Sequence, residues 1–112
     1  MTKTIFCDLD GCLIKHQDFY TENAVLLDGV LEKMREWNKE HHNIIITTGR
    51  KESSRKITEK TLSNLGISYD QLIMGIGPYP RVLINDLKPS SNQETATAIC
   101  LQRNIGISQV EI

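Results

Sequence analysis

Residues 4–12 read TIFCDLDGC. The β-branched and apolar run, with Thr2 and Lys3 before it, reads as a buried strand. It ends in two acids, Asp8 and Asp10, one residue apart and followed by Gly11. In extended chain, residues 8 and 10 point to the same face. Two like charges then meet at a strand end and repel unless something compensates them. Gly11 lets the backbone turn away at once.

The sequence on either side of β-rich runs sets the order of elements. Residues 12–27, CLIKHQDFYTENAVLL, keep no steady period and read as a short flap or hairpin followed by a connection. From Asp28, taken as a cap, the pattern turns helical. Val30, Leu31, Met34 and Trp37 share one face, and Glu32, Lys33, Arg35 and Glu36 the other. NIIITTGR (43–50) is apolar on both faces, which suits the middle of a parallel sheet. SSRKITEKTLSNLG (53–66) reads as a second helix, with Ile57, Leu62 and Leu65 inward and Gly66 as its stop. YDQLIMG (69–75) is a short strand, GPYP (77–80) a turn, and RVLIND (81–86) a further strand ending in an acid. In TATAICLQ (95–102) alternation favours a strand and alanine content allows a helix, while the last residues read as peripheral. His41 and His42 read as a solvated turn at the end of the first helix.

Strands alternating with helices predict an α/β fold, a Rossmann-like three-layer sandwich around a mostly parallel central sheet. Right-handed crossovers bring the C-terminal strand ends to one edge. Residues 1–112 are expected to form one domain. A net charge of −1 points to no nucleic-acid or membrane partner through bulk electrostatics. No apolar run approaches the roughly 20 residues a bilayer span needs, and the N-terminus does not read as a signal peptide. Cys7, Cys12 and Cys100 lack metal-like spacing and read as reduced thiols of a cytoplasmic protein.

Ligands of open parallel sheets bind beyond the C-terminal strand ends. Here those ends carry Asp8 and Asp10, then Thr47, Thr48 and Gly49, then Asn85 and Asp86, with Lys88 two residues on. Singly, each could cap a helix or close a turn. Together, carboxylates, hydroxyls and an ammonium at three adjacent ends describe a site. A divalent cation would offset the paired acids, and an all-oxygen donor set suits magnesium.

DLDG after an apolar strand, IIITTGR and LIND, in this order, resemble the first, second and fourth motifs of the haloacid dehalogenase-like phosphohydrolase superfamily. The resemblance covers roughly residues 3–90 and is similar in detail to small capless members. It implies a magnesium-dependent phosphomonoesterase working through an aspartyl-phosphate. Asp8 would be the nucleophile and Asp10 the acid and then the base. Thr48 would donate its hydroxyl to a phosphoryl oxygen, with Thr47 as fallback. Asp8, Asp10 (through its carbonyl) and Asp86 would hold Mg2+. The turn at Gly11, and the backbone N–H groups around Gly49 and Arg50, would flank the substrate.

The sequence departs from the family pattern twice. Cys12 stands where threonine is usual, which raises a thiol nucleophile as an alternative. The third-motif basic residue is missing. Lys88 is the first choice to replace it, with Arg50 and Lys56 as alternatives. Neither Gly11–Asn43 nor Gly49–Asp86 has room for a cap domain. The site is then open to a large substrate or covered by a second copy in a homo-oligomer. A small phosphorylated sugar or related metabolite is the expected substrate. The competing readings are a catalytically silent binding or regulatory protein and a receiver-type phospho-acceptor domain.

Overall fold

The structure, a computed structural model, describes residues 1–112. Three strands, β1 (Thr4–Asp8), β2 (Asn43–Thr47) and β3 (Gln71–Ile73), form a parallel sheet in the order β1-β2-β3. The register pairs Asp8 with Thr47 and Thr47 with Ile73, so the three strands end level. Two helices, α1 (Val30–Lys39) and α2 (Arg55–Leu65), make the crossovers, and a 3-10 turn at Glu52–Ser54 leads into α2. This is the Rossmann-like α/β fold that the alternation of elements implies, with no cap domain inserted.

Burial explains why each strand reads as it does. Ile44, Ile45 and Ile46 are all buried, as a central strand covered on both faces requires. In β1 only alternate residues go inward. Cys7 and Leu9 are buried while Phe6 and Asp8 stay exposed, so β1 is an edge strand covered on one face. That alternation throws Asp8 and Asp10 to the face opposite Leu9. The core joins Leu9, Leu13, Ile14, Val30, Met34, Trp37, Ile44, Ile46 and Leu62.

Both helices follow their apolar periodicity, with two differences. The residue at the N-cap of α1 is Gly29, in the left-handed region at φ 71°, and no side chain caps the helix. Asp28 lies one residue too early to do so. The buried face of α2 is Thr58, Thr61 and Leu62, with Ile57 and Leu65 only half-buried. The threonines are tolerated inside because their hydroxyls are bonded. Thr61 Oγ1 donates to Ile57 O at 2.8 Å, and Thr58 Oγ1 accepts from Arg50. Gly66, at φ 75°, ends α2 as expected.

Residues 12–27 form the expected flap. Lys15 N–H donates to Val25 O and Leu27 N–H to Leu13 O, with Ile14 bridging Leu26 in antiparallel fashion. The predicted strand RVLIND does not form. Val82 is 85% and Ile84 89% exposed, and no ladder partner reaches them. Local bonds are made instead. Lys88 N–H donates to Gln93 O, Asn85 Nδ2 to Thr95 O, and Thr95 Oγ1 to Asp86 O, folding 85–95 into a loop. Residues 95–102 are neither strand nor helix.

Two further expectations are corrected. His42 is buried rather than solvated: its Nδ1 accepts the Lys3 N–H at 3.0 Å and its Nε2 lies 2.9 Å from Glu40 Oε2. The C-terminal residues are not peripheral, because Ile107 is 1% exposed and belongs to the core. The chain reaches it through Gly106, at φ 88°, where a Cβ would stand 2.6 Å from Asp28 O. Ile107→Ala should therefore cost about 2–5 kcal/mol in urea unfolding, as a core truncation does. A change within experimental error would show that the C-terminal segment does not pack there.

Candidate active site

The site grows from the turn that follows β1. Leu9 is fully buried, and its carbonyl accepts N–H groups from Cys12, Leu13 and Ile14. This holds residues 9–14 in a tight coil beneath the sheet edge, with Gly11 at φ 86°. Asp8, Asp10, Gly11, Cys12, Leu101 and Arg103 line one open cavity of about 160 Å³. The two acids therefore share a cavity, as their spacing predicts.

Their environments differ. Asp10 receives both arms of Arg50: Nε to Oδ2 and Nη2 to Oδ1, each at 2.8 Å. Such a bidentate, charge-assisted pair fixes the carboxylate in position and orientation. Arg50 is 1% exposed, and its other contacts are all within the protein. Nη1 donates to Thr58 Oγ1 at 3.0 Å, Nη2 also reaches Gln17 Oε1, and the guanidinium carbon lies 3.9 Å from the centre of the Tyr20 ring. Asp8 stays exposed, yet local crowding by protein atoms pushes its carboxyl above its ordinary value. The Leu9 N–H and the charge of Arg81 pull it down, and the charge of Asp10 pushes it further up.

The loop after β2 stands behind Asp10 through Arg50, but Thr48, Gly49 and Arg50, expected at the site, do not line the cavity. Thr48 is buried, and its Oγ1 accepts the Arg50 N–H at 3.1 Å. Its own hydroxyl proton remains available to donate. Gly49 passes so close to the chain at Gly77 that a Cβ would stand 2.8 Å from the Gly77 carbonyl oxygen. The amide of Arg50 is thus already used by Thr48, and its side chain by Asp10. Arg50 positions Asp10 rather than presenting a free cation to a substrate.

Asp86 and Lys88 are not brought to this cavity. Both are exposed on the 85–95 loop, because the strand that would have carried them to the sheet does not form. No three His, Cys, Asp or Glu side chains are grouped to hold a metal ion. Asp8 suits magnesium as an exposed carboxylate at a strand end. Of the expected donors, Asp8 and Asp10 line the cavity, and Asp86 stands apart. The three-donor set expected for Mg2+ is therefore not assembled, and no step below passes through the metal.

Cys12 lines the cavity, but burial and the charge of Asp8 push its thiol up to about 11. At neutral pH it is protonated, which removes it as a nucleophile. Sequence reasoning missed Arg81, Leu101 and Arg103. Arg81 stood in a segment read as a strand and Leu101 in one read as strand or helix, so neither was read as part of a site, and Arg103 follows both outside any pattern. The one available signal was the turn chemistry of Asn104 and Gly106, which could have marked a return of the chain.

No protein-family model matches the chain, and no curated protein matches it. Solved structures do. Part of a chain in the Pnkp1/Rnl/Hen1 complex matches 73% of this chain at TM-score 0.60 and 27% identity. This chain spans 31% of that one, about a third of its length. A structural-genomics target from Vibrio cholerae matches 82% of this chain and 87% of its own, at TM-score 0.56 and 23% identity. The D,D-heptose 1,7-bisphosphate phosphatase of B. bronchiseptica, solved with magnesium and phosphate, matches 70% of this chain and 52% of its own, at TM-score 0.52 and 19% identity. The last two show the fold alone, and one of them is a phosphatase. No helix of the chain is long and apolar enough to cross a membrane.

The Asp10–Arg50 pair predicts an asymmetry. Asp10→Ala strands a guanidinium with no solvent access and should cost about 3–5 kcal/mol in urea unfolding. Arg50→Met should cost less, because the Asp10 side chain keeps 15% of its surface in water. Equal or reversed costs would show that Arg50 is not held as described.

Proposed function

We propose that the chain hydrolyses phosphomonoesters, with Asp8 as nucleophile and Asp10 as proton donor and acceptor. One observation carries this reading. An exposed carboxylate and a second, rigidly aimed carboxylate share an open cavity at the C-terminal edge of a parallel sheet.

In the first step an Asp8 oxygen forms a bond to phosphorus and the bond to the leaving oxygen breaks. Asp10, entering this step as the carboxylic acid, gives that oxygen its proton and becomes the carboxylate. In the second step water attacks phosphorus, Asp10 takes the water's proton, the bond to Asp8 breaks and phosphate leaves. Arg50 keeps Asp10 aimed through both steps. Magnesium belongs to the proposal as cofactor, supported by Asp8 and by the magnesium complex of the phosphatase that shares the fold.

The substrate class remains a phosphorylated sugar or similar metabolite, and the open cavity gives a second candidate. A phosphorylated chain end would also fit, and the Pnkp1/Rnl/Hen1 complex is described as an RNA repair complex. In this proposal residues 1–112 act as one domain. It places them in the cytoplasm, in keeping with three free cysteines, and allows a second copy over the site. A silent binding protein is the alternative, because Lys88 does not reach Asp8.

The test is turnover of p-nitrophenyl phosphate, a phosphorylated sugar and a phosphorylated oligonucleotide, with magnesium and with a chelator. Magnesium-dependent hydrolysis that falls to background in Asp8→Asn is expected. Turnover that survives the substitution rejects Asp8, and no turnover on any substrate favours the silent reading.

The pH profile gives a separate check. Asp8 must be ionised to attack, and its carboxyl lies above the ordinary range. Activity should therefore fall on the acid side at a pH above that of a free carboxylate. Arg81 lowers the Asp8 carboxyl, so Arg81→Ala should move this acid limb to higher pH. A limb that does not move would show that Arg81 does not act on Asp8.

A further inference from the structure

The site as read lacks a cation for its substrate. The Asp8 carboxylate repels a phosphate dianion, and so does Asp10 whenever it is ionised. Arg50 offsets one of them, but its fork and its amide are fully engaged. Lys88 lies on a loop away from the cavity.

We propose that Arg103 receives the anionic phosphoryl group of the substrate at the Asp8–Asp10 cavity. This rests on the phosphomonoester reading and names the group that binds the phosphate. Arg103 lines the cavity with both acids and is exposed there. It enters none of the ion pairs of the chain.

Its backbone is held in place. The Asn104 N–H donates to Gly11 O at 2.8 Å, and Asn104 Oδ1 accepts the His16 N–H at 2.8 Å. Three residues after Asn104, Ile107 is buried in the core. The Arg103 stem lies over Gly11, where a Cβ would stand 3.1 Å from Cγ. Glycine at 11 therefore serves both the turn and the approach of this arginine. An anchored backbone with an unengaged planar fork suits two-point recognition of phosphate oxygens.

The test measures binding of inorganic phosphate by calorimetry, with magnesium present, for wild type, Arg103→Ala, Arg103→Lys and Arg35→Ala. Arg35 is an exposed residue of α1 and controls for the loss of one charge. Thermal midpoints confirm that all four are folded. Arg103→Ala should weaken phosphate binding by about tenfold to a hundredfold, as loss of a charged hydrogen-bond pair does. Arg103→Lys should recover part of it, and Arg35→Ala should bind as wild type. With p-nitrophenyl phosphate, KM should rise in step and kcat should change less.

Wild-type affinity in Arg103→Ala overturns the proposal, and so does a wild type that binds no phosphate. The reaction itself is scored separately by turnover. Phosphate binding that depends on Arg103 without any hydrolysis supports the anion site and rejects the phosphatase. Hydrolysis with an unchanged KM in Arg103→Ala does the reverse.

Discussion

The contact between Asp10 and Arg50 governs the rest of the site. It ties the turn after β1 to the loop after β2, two segments 40 residues apart in sequence. Parallel strands cannot share a tight turn, so no short connection joins the turn after β1 to the loop after β2. A guanidinium with no solvent access must have its donors satisfied where it stands. That requirement explains Thr58 on the buried face of α2 and Tyr20 in the flap against the arginine plane. Removing the pair would free the turn after β1 and the loop after β2 from each other and from Thr58 and Tyr20.

The pair also divides labour between two acids that look equivalent in sequence. Asp10 is held rigidly, with both oxygens bonded to one cation. Asp8, two residues earlier, stays exposed and feels crowding more than any partner. A fixed proton carrier beside an accessible nucleophile is the arrangement that displacement at phosphorus requires. The repulsion between them is relieved from within the chain by Arg50 and Arg81, where the sequence alone suggested a metal.

The core of the fold was legible because periodicity survives local context. NIIIT could only be a doubly covered strand, and Val30, Met34 and Trp37 could only be one face of a helix. DLDG placed both acids on one face by strand geometry alone. RVLIND misled because its composition is that of a strand. Strand formation also needs a ladder neighbour, and the bonds between 85–88 and 93–95 give that backbone local partners. Asp86 and Lys88 went with it. Arg50 was read as a substrate group because TGR ends a strand. Its burial could not be known without the long-range contact to Asp10. Arg103 was invisible for the opposite reason: its place is set by Gly11, Asn104 and Ile107, none of which forms a periodic pattern with it.

The central claim is that Asp8 forms a covalent bond to phosphorus. Incubation with p-nitrophenyl phosphate, quenching with borohydride and peptide mapping by mass spectrometry tests it directly. Borohydride reduces an aspartyl-phosphate to homoserine and leaves a free carboxylate unchanged. The account predicts homoserine at position 8, only when substrate is present, and none at position 10. Turnover without reduction at position 8, or reduction at position 10 instead, would contradict it.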